Sequence, residues 1–280
     1  MPDFRTSDGL RLHFEDEGSG APLLCLAGLT RCSRDFEFLR PHVRDLRLIR
    51  LDYRGRGRSD YDPDYMNYNV LREGHDALEL LDHLGLEKVT VLGTSRGGMI
   101  AMTLAASHPE RLSGVILNDV GPVIEPAGIA RIMEYVGRKP VSKTHEQAAQ
   151  VLKDAMEPQF PGVPLEIWRK QAEIQYVATE DGLALRYDDH LHKALLEQAA
   201  AGAIPDLWMF FEALRSIPTG VVRGANSDIL GAATLAEMHR RHPGLISAEV
   251  PDRGHVPFLN EPQSLDIIRR ILEAACVPLR

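Results

Sequence analysis

Gly93-Thr94-Ser95-Arg96-Gly97 sets a serine between two glycines, each two residues away, with the apolar run Val89–Leu92 before it and a helical pattern after it. Strand, sharp turn and helix in that order lift a serine hydroxyl above the end of a sheet. Glycine is needed at both flanks because side chains there would collide where strand and helix cross. The opening turn of the helix aims N–H groups without intrahelical acceptors at the same point. A serine hydroxyl is a poor nucleophile near neutral pH, so it needs a base, and the base needs an acid to orient it.

Of the eleven histidines, His255 is the best placed as base. It sits in Asp252-Arg253-Gly254-His255-Val256-Pro257, a Gly- and Pro-bearing loop just past the last strand pattern. The expected chain order is serine, acid, histidine. Asp228, in Gly224-Ala225-Asn226-Ser227-Asp228 after the preceding strand, is the favoured acid. Asp119, at the end of the strand before that, is its competitor, with the alternative role of a strand-end carboxylate bonded to loop N–H groups. Backbone N–H groups complete the chemistry. Arg96, directly after the serine, supplies one oxyanion donor, and Leu29, in Ala27-Gly28-Leu29-Thr30, is the best candidate for the other.

Those loops need a scaffold, and the chain alternates short apolar runs with helical periodicity, the pattern of a mostly parallel sheet covered by helices on both faces. Segments 11–17, 23–26, 48–52, 89–93, 115–119, 220–224 and 248–250 read as strands. Residues 70–84 read as an amphipathic helix with Leu71, Ala77, Leu78, Leu81 and Leu84 on its buried face. Residues 96–107 read as the helix after the serine, ended by Pro109. Residues 123–206 differ, with helix patterns and almost no strand pattern. There Thr144 and Gln147 make a capping box. Ala148, Val151, Leu152 and Ala155 share one face, and Leu165, Trp168, Ala172 and Tyr176 share the next. The expected organisation is a core of residues 1–122 and 207–280 with a helical cap of residues 123–206 over the sheet's carboxyl edge, where open α/β sheets bind ligands.

Composition narrows the function. Lys and Arg number 32 against 40 Asp and Glu, a formal charge of −8, which disfavours a nucleic-acid partner. Three scattered cysteines, Cys25, Cys32 and Cys276, fit neither a disulfide framework nor a paired-cysteine metal site. The charged N-terminus has no apolar signal-peptide core, and no apolar run is long enough to span a bilayer. A cytoplasmic protein acting on a small molecule, with no membrane or nucleic-acid partner, is expected.

Taken together, these residues resemble the α/β-hydrolase superfamily over nearly the whole chain. Gly93–Gly97 resembles its nucleophile elbow. Asp52-Tyr53-Arg54-Gly55-Arg56-Gly57-Arg58-Ser59 resembles its D-x-R-G-x-G-x-S loop, and the Asp228 and His255 loops resemble its acid and histidine loops. The resemblance implies an eight-stranded sheet with a helical cap, no cofactor, and hydrolysis of esters, lactones or related bonds. One departure is Ala27-Gly28 where His-Gly is common, which removes a side chain that braces the oxyanion loop. A serine nucleophile also sets aside relatives that use aspartate.

The activity expected is a serine hydrolase that cleaves a small carboxylic ester or lactone through an acyl-enzyme. C–C bond hydrolysis, cofactor-free oxygen chemistry on the same triad, and a non-enzymatic small-molecule receptor are the alternatives. The arginines at 54, 56 and 58 belong to a structural loop, since a phosphate loop needs other glycine spacing and a helix after it. Arg31, Arg34 and Arg96 lie on loops near the oxyanion site and are candidates to hold a substrate carboxylate. Trp168, Tyr176, Trp208, Phe210 and Phe211 are read as pocket walls or core. His190-x-His192 lacks a third ligand in the sequence and is not read as a metal site.

Overall fold

The computed structural model describes residues 2–201 and 206–276. Residue 1, the end of the expected cap at 202–205, and the last core residues, 277–280, lie outside the described residues. Eight strands form one sheet: β1 (Asp3–Arg5), β2 (Arg11–Glu17), β3 (Pro22–Leu26), β4 (Arg47–Leu51), β5 (Val89–Thr94), β6 (Leu112–Asn118), β9 (Thr219–Gly224) and β10 (Ile246–Val250). Their spatial order is β1-β2-β4-β3-β5-β6-β9-β10. The first two pairings are antiparallel and every later one is parallel. The three-residue β1 has one buried side chain, Phe4, too little alternation for a strand to be read from sequence.

Strands β5 and β9 are buried along their whole length, as parallel strands covered on both faces must be. Two contacts on β6 show the covering. Gly114 lies against Ile271 of the helix Pro262–Ala275, whereas Leu117 lies against Gly98 of α2 (Arg96–Ser107). Positions 114 and 117 differ by an odd step, so they point to opposite faces.

Helix α1 (Val70–His83) starts at Asn69, whose side chain accepts from the Arg72 N–H. Its buried face holds Ala77, Leu78, Leu80 and Leu81, but also Glu73, Gly74 and Asp76. Leu71, expected inside, is 70% exposed. The reason is the loop that follows β4. Arg54 is fully buried and makes a two-pronged pair with Asp76, at 2.7 Å to each oxygen. Arg56 is buried beside Glu73 at 2.9 Å. The face of α1 that meets this loop must therefore carry carboxylates, because a buried guanidinium without a partner is costly.

Between β6 and β9 the chain forms α3 (Pro126–Tyr135), α4 (His145–Met156), α5 (Leu165–Gln175), a hairpin of β7 (Tyr176–Thr179) and β8 (Gly182–Leu185), α6 (His190–Ala200) and the short α7 (Trp208–Glu212). The hairpin corrects the expectation of a segment almost without strands. Thr144 does cap α4, accepting from the Gln147 N–H at 3.3 Å, but Gln147 Oε1 accepts from the Lys143 N–H, so the box closes one residue early. Ala148 is buried as expected, but Val151 is exposed and Ala149 takes its place on the buried face of α4. With Phe160, Val163, Trp168, Ala172 and Leu183 the two alanines build a small apolar cluster, against which Phe258 packs. A second cluster joins Val136, Tyr187, Leu191 and Ala194 to Tyr68, with Leu29 packed on it. Both clusters thus engage loops of the sheet, those bearing the expected histidine and the expected oxyanion donor.

Candidate active site

The serine turn comes first. Ser95 has φ 51° and ψ −113°, a conformation rarely adopted by residues with a side chain. The neighbouring glycines make it possible. A Cβ on Gly93 would lie 2.4 Å from the Gly97 carbonyl oxygen, and one on Gly97 would lie 2.0 Å from that of Leu26. The Ser95 N–H donates to the Asn118 carbonyl at 3.0 Å, fastening the turn to β6. Asn118 Nδ2 in turn donates to the Pro257 carbonyl at 3.3 Å, which ties the same strand end to the histidine loop.

His255 Nε2 stands 3.0 Å from Ser95 Oγ. Its Nδ1 lies 2.7 Å from Asp119 Oδ2, and Asp119 is fully buried. The carboxylate that meets His255 is therefore that of the competitor, Asp119, and the expected contact with Asp228 is not formed. Asp119 has φ 55°, a region that aspartate tolerates better than most residues. Its N–H still bonds the Val222 carbonyl at 2.7 Å, so the residue finishes the β6 ladder while turning its side chain toward β9. There Oδ1 accepts from the Gly224 N–H at 2.8 Å and Oδ2 accepts from the Ser227 hydroxyl at 2.7 Å. Asp228 lies one residue further along the same turn and faces away. Its carboxylate pairs with Arg131 of α3 at 2.6 Å, with both side chains partly exposed. A Cβ on Gly128 would meet the Asp228 carbonyl oxygen at 2.4 Å, so α3 rests directly on this turn.

Arg96 is the first residue of α2, so its N–H has no acceptor within the helix. Leu29 lies in the loop after β3, and its carbonyl accepts from Arg56 Nε at 3.1 Å. Tyr53 Oη donates to the Ala27 carbonyl at 3.2 Å and so ties this loop to the one after β4. The side chain of Arg96 is not free for a ligand. Its Nε bonds Glu73 at 2.5 Å and its Nη2 donates to the Tyr68 carbonyl at 3.0 Å. Glu73 thus lies between Arg96 and Arg56, and both loops expected to supply oxyanion donors are tied to one buried carboxylate.

Arg34 is likewise committed, with Nε 2.6 Å from Glu37 and Nη1 donating to the Glu173 carbonyl at 2.7 Å. Arg31 is held by Asp35 at 3.1 Å and by Gln171 Oε1 at 3.0 Å. Burial pushes the Asp35 carboxyl above its usual range, opposed by the nearby charges of Arg31 and His255. Asp35 was legible as a neighbour for these arginines to pair with, whereas sequence reasoning missed Glu73, Gln171 and Ser227. The last had a signal, because a serine three residues past a strand end commonly bonds its own turn, and Ser227 Oγ accepts from the Ile229 and Leu230 N–H groups at 3.1 Å.

Of the aromatics, Trp168 and Phe211 are buried and Phe258 links the two parts of the molecule. Its ring lies 5.4 Å from Phe38, 5.5 Å from Phe160 and 6.1 Å from Trp168. Asp188, Asp189 and His190 bring ligand-type atoms together among the described residues, but His190 Nδ1 is bonded to Asp188 at 2.8 Å. No described helix is long and apolar enough to cross a membrane.

The sequence profile of the alpha/beta hydrolase fold family matches residues 21–262. A 3-hydroxybutyrate-oligomer hydrolase from Cupriavidus necator is 37% identical over 269 residues, covering 93% of this chain and 91% of its own. A 2-(acetamidomethylene)succinate hydrolase from Mesorhizobium japonicum is 28% identical, covering 90% of this chain and 87% of its own. The crystal structure of an alpha/beta hydrolase from Novosphingobium aromaticivorans superposes with a TM-score of 0.90 at 40% identity, over 98% of this chain and 97% of that one. The chain belongs to the alpha/beta hydrolase fold family and is an enzyme of that family.

Proposed function

From that membership we propose that the chain is a serine hydrolase of small carboxylic esters or lactones, with Ser95 as nucleophile, His255 as base and Asp119 as the orienting acid. One observation carries the reading: His255 Nε2 lies 3.0 Å from Ser95 Oγ while its Nδ1 lies 2.7 Å from a buried carboxylate. Nδ1–H donates to Asp119, which fixes the tautomer and leaves Nε2 to accept the serine proton. Ser95 Oγ attacks the acyl carbon as Nε2 takes that proton. The oxyanion accepts from the Leu29 and Arg96 N–H groups, each worth about 3–4 kcal/mol when such a donor is lost. Collapse expels the alcohol, protonated by His255. Water, deprotonated by the same nitrogen, then releases the acid and restores Ser95.

The 3-hydroxybutyrate oligomers named for the Cupriavidus relative are chains of aliphatic esters, which favours an ester over other acyl bonds here. Residues 123–206 act as the cap, walling the substrate off from bulk water. Ser95→Ala is expected to lower turnover of a short ester by on the order of 10⁴–10⁶-fold. A fluorophosphonate should label Ser95 alone and should fail on that variant. Appreciable ester turnover by Ser95→Ala, or labelling of another serine, would remove the assignment.

A further inference from the structure

Four arginines surround the candidate site, and the groups that hold them differ. Arg96 is bonded to Glu73, Arg34 to Glu37 and Arg131 to Asp228, at 2.5–2.6 Å in each case. Those three are matched closely by a carboxylate. Arg31 is held more loosely, at 3.1 Å from Asp35. Its other holders are neutral amides: Gln171 Oε1 at 3.0 Å, and Gln175, whose oxygen in the orientation that satisfies both groups accepts from Nη1 and Nη2 at 3.1 and 3.2 Å. Neutral acceptors fix a guanidinium in place without cancelling its charge.

The location of Arg31 is equally specific. A Cβ built on Gly28 would meet Arg31 Cγ at 3.5 Å and Ser95 Cβ at 3.9 Å, so Gly28 is the small residue that the arginine stem and the serine both approach. The charge of Arg31 also reaches the phenols of Tyr176 and Tyr187 on the inserted segment. Its side chain keeps 28% of its surface exposed. A fork of N–H donors that is positioned, partly open and on the loop that adjoins the serine suits a planar anion.

We propose that Arg31 binds a carboxylate carried by the substrate, so that the preferred substrates are short esters bearing a free acid group. This rests on the ester-hydrolase reading and adds the part of the substrate that does not react. A linear 3-hydroxybutyrate dimer and its terminal carboxamide differ only in that group. The wild type should favour the free acid by at least tenfold in kcat/KM. Arg31→Gln should abolish the preference through KM, leaving the carboxamide within about threefold, and Arg31→Lys should restore part of it. Equal losses on both substrates, or no preference in the wild type, would overturn the proposal.

Calorimetry on Ser95→Ala separates this from the reaction itself. The free acid should bind at least tenfold more tightly than the carboxamide, and adding Arg31→Gln should erase the difference. Equal affinities would refute the carboxylate site even if esters are cleaved. A clear difference would uphold it even if neither dimer turns over, in which case the ester reading is what fails.

Discussion

Two carboxylates, Asp119 and Asp228, end neighbouring parallel strands on the same side of the sheet, and they have opposite surroundings. Asp119 follows β6 directly, has no exposed surface and receives an N–H, a hydroxyl and an imidazole. Asp228 follows β9 at a distance, keeps 23% of its side chain exposed and meets Arg131. Chain order permits either to serve the histidine. What distinguishes them is that the backbone turns Asp119 inward at a positive φ, among donors that hold it still. An orienting acid is made by its donors, and chain order only nominates it.

The sharpest way to break that contrast is to neutralise each carboxylate in turn. Asp119→Asn should lower kcat on a short ester by on the order of 10⁴-fold, as loss of the tautomer-fixing acid does in other triads. Comparable loss in Asp228→Asn would reverse the assignment. Removing one donor gives a smaller effect. Ser227→Ala should lower kcat by about tenfold and stability by about 1 kcal/mol, the value of one hydrogen bond. Steady-state kinetics with a denaturant melt would check both, and unchanged kcat would show that Asp119 does not depend on that hydroxyl. The smallest effect is expected for Asp228→Asn, with kcat within about threefold and a stability cost of about 1 kcal/mol or less for a partly exposed pair.

Much of the architecture was legible because its signals are local. The turn at Ser95 needs glycines within two residues, and the His255 loop announces itself by Gly254 and Pro257. The helix 96–107 was bounded correctly by the turn before it and Pro109 after it. Which carboxylate meets His255 was not legible, because choosing between Asp119 and Asp228 requires knowing which N–H groups arrive from β9. Helix α1 misled for a related reason. Its inner face carries Glu73 and Asp76 for the buried arginines of the preceding loop, so apolar periodicity put Leu71 inside. Strands β7 and β8, four residues each, are too short to show a period, and Tyr176 at their start also fits the end of the α5 pattern.

The buried trio Arg56, Glu73 and Arg96 carries one implication for the energetics of the fold. Two cations share one anion there, 0–8% exposed, directly behind the Leu29 and Arg96 backbones. By formal charge the trio is one positive unit in excess, in a medium that screens poorly. In the proposed reaction that excess would favour the negative charge that gathers in front of those backbones, and because it is built in when the protein folds, nothing would have to rearrange when that charge appears.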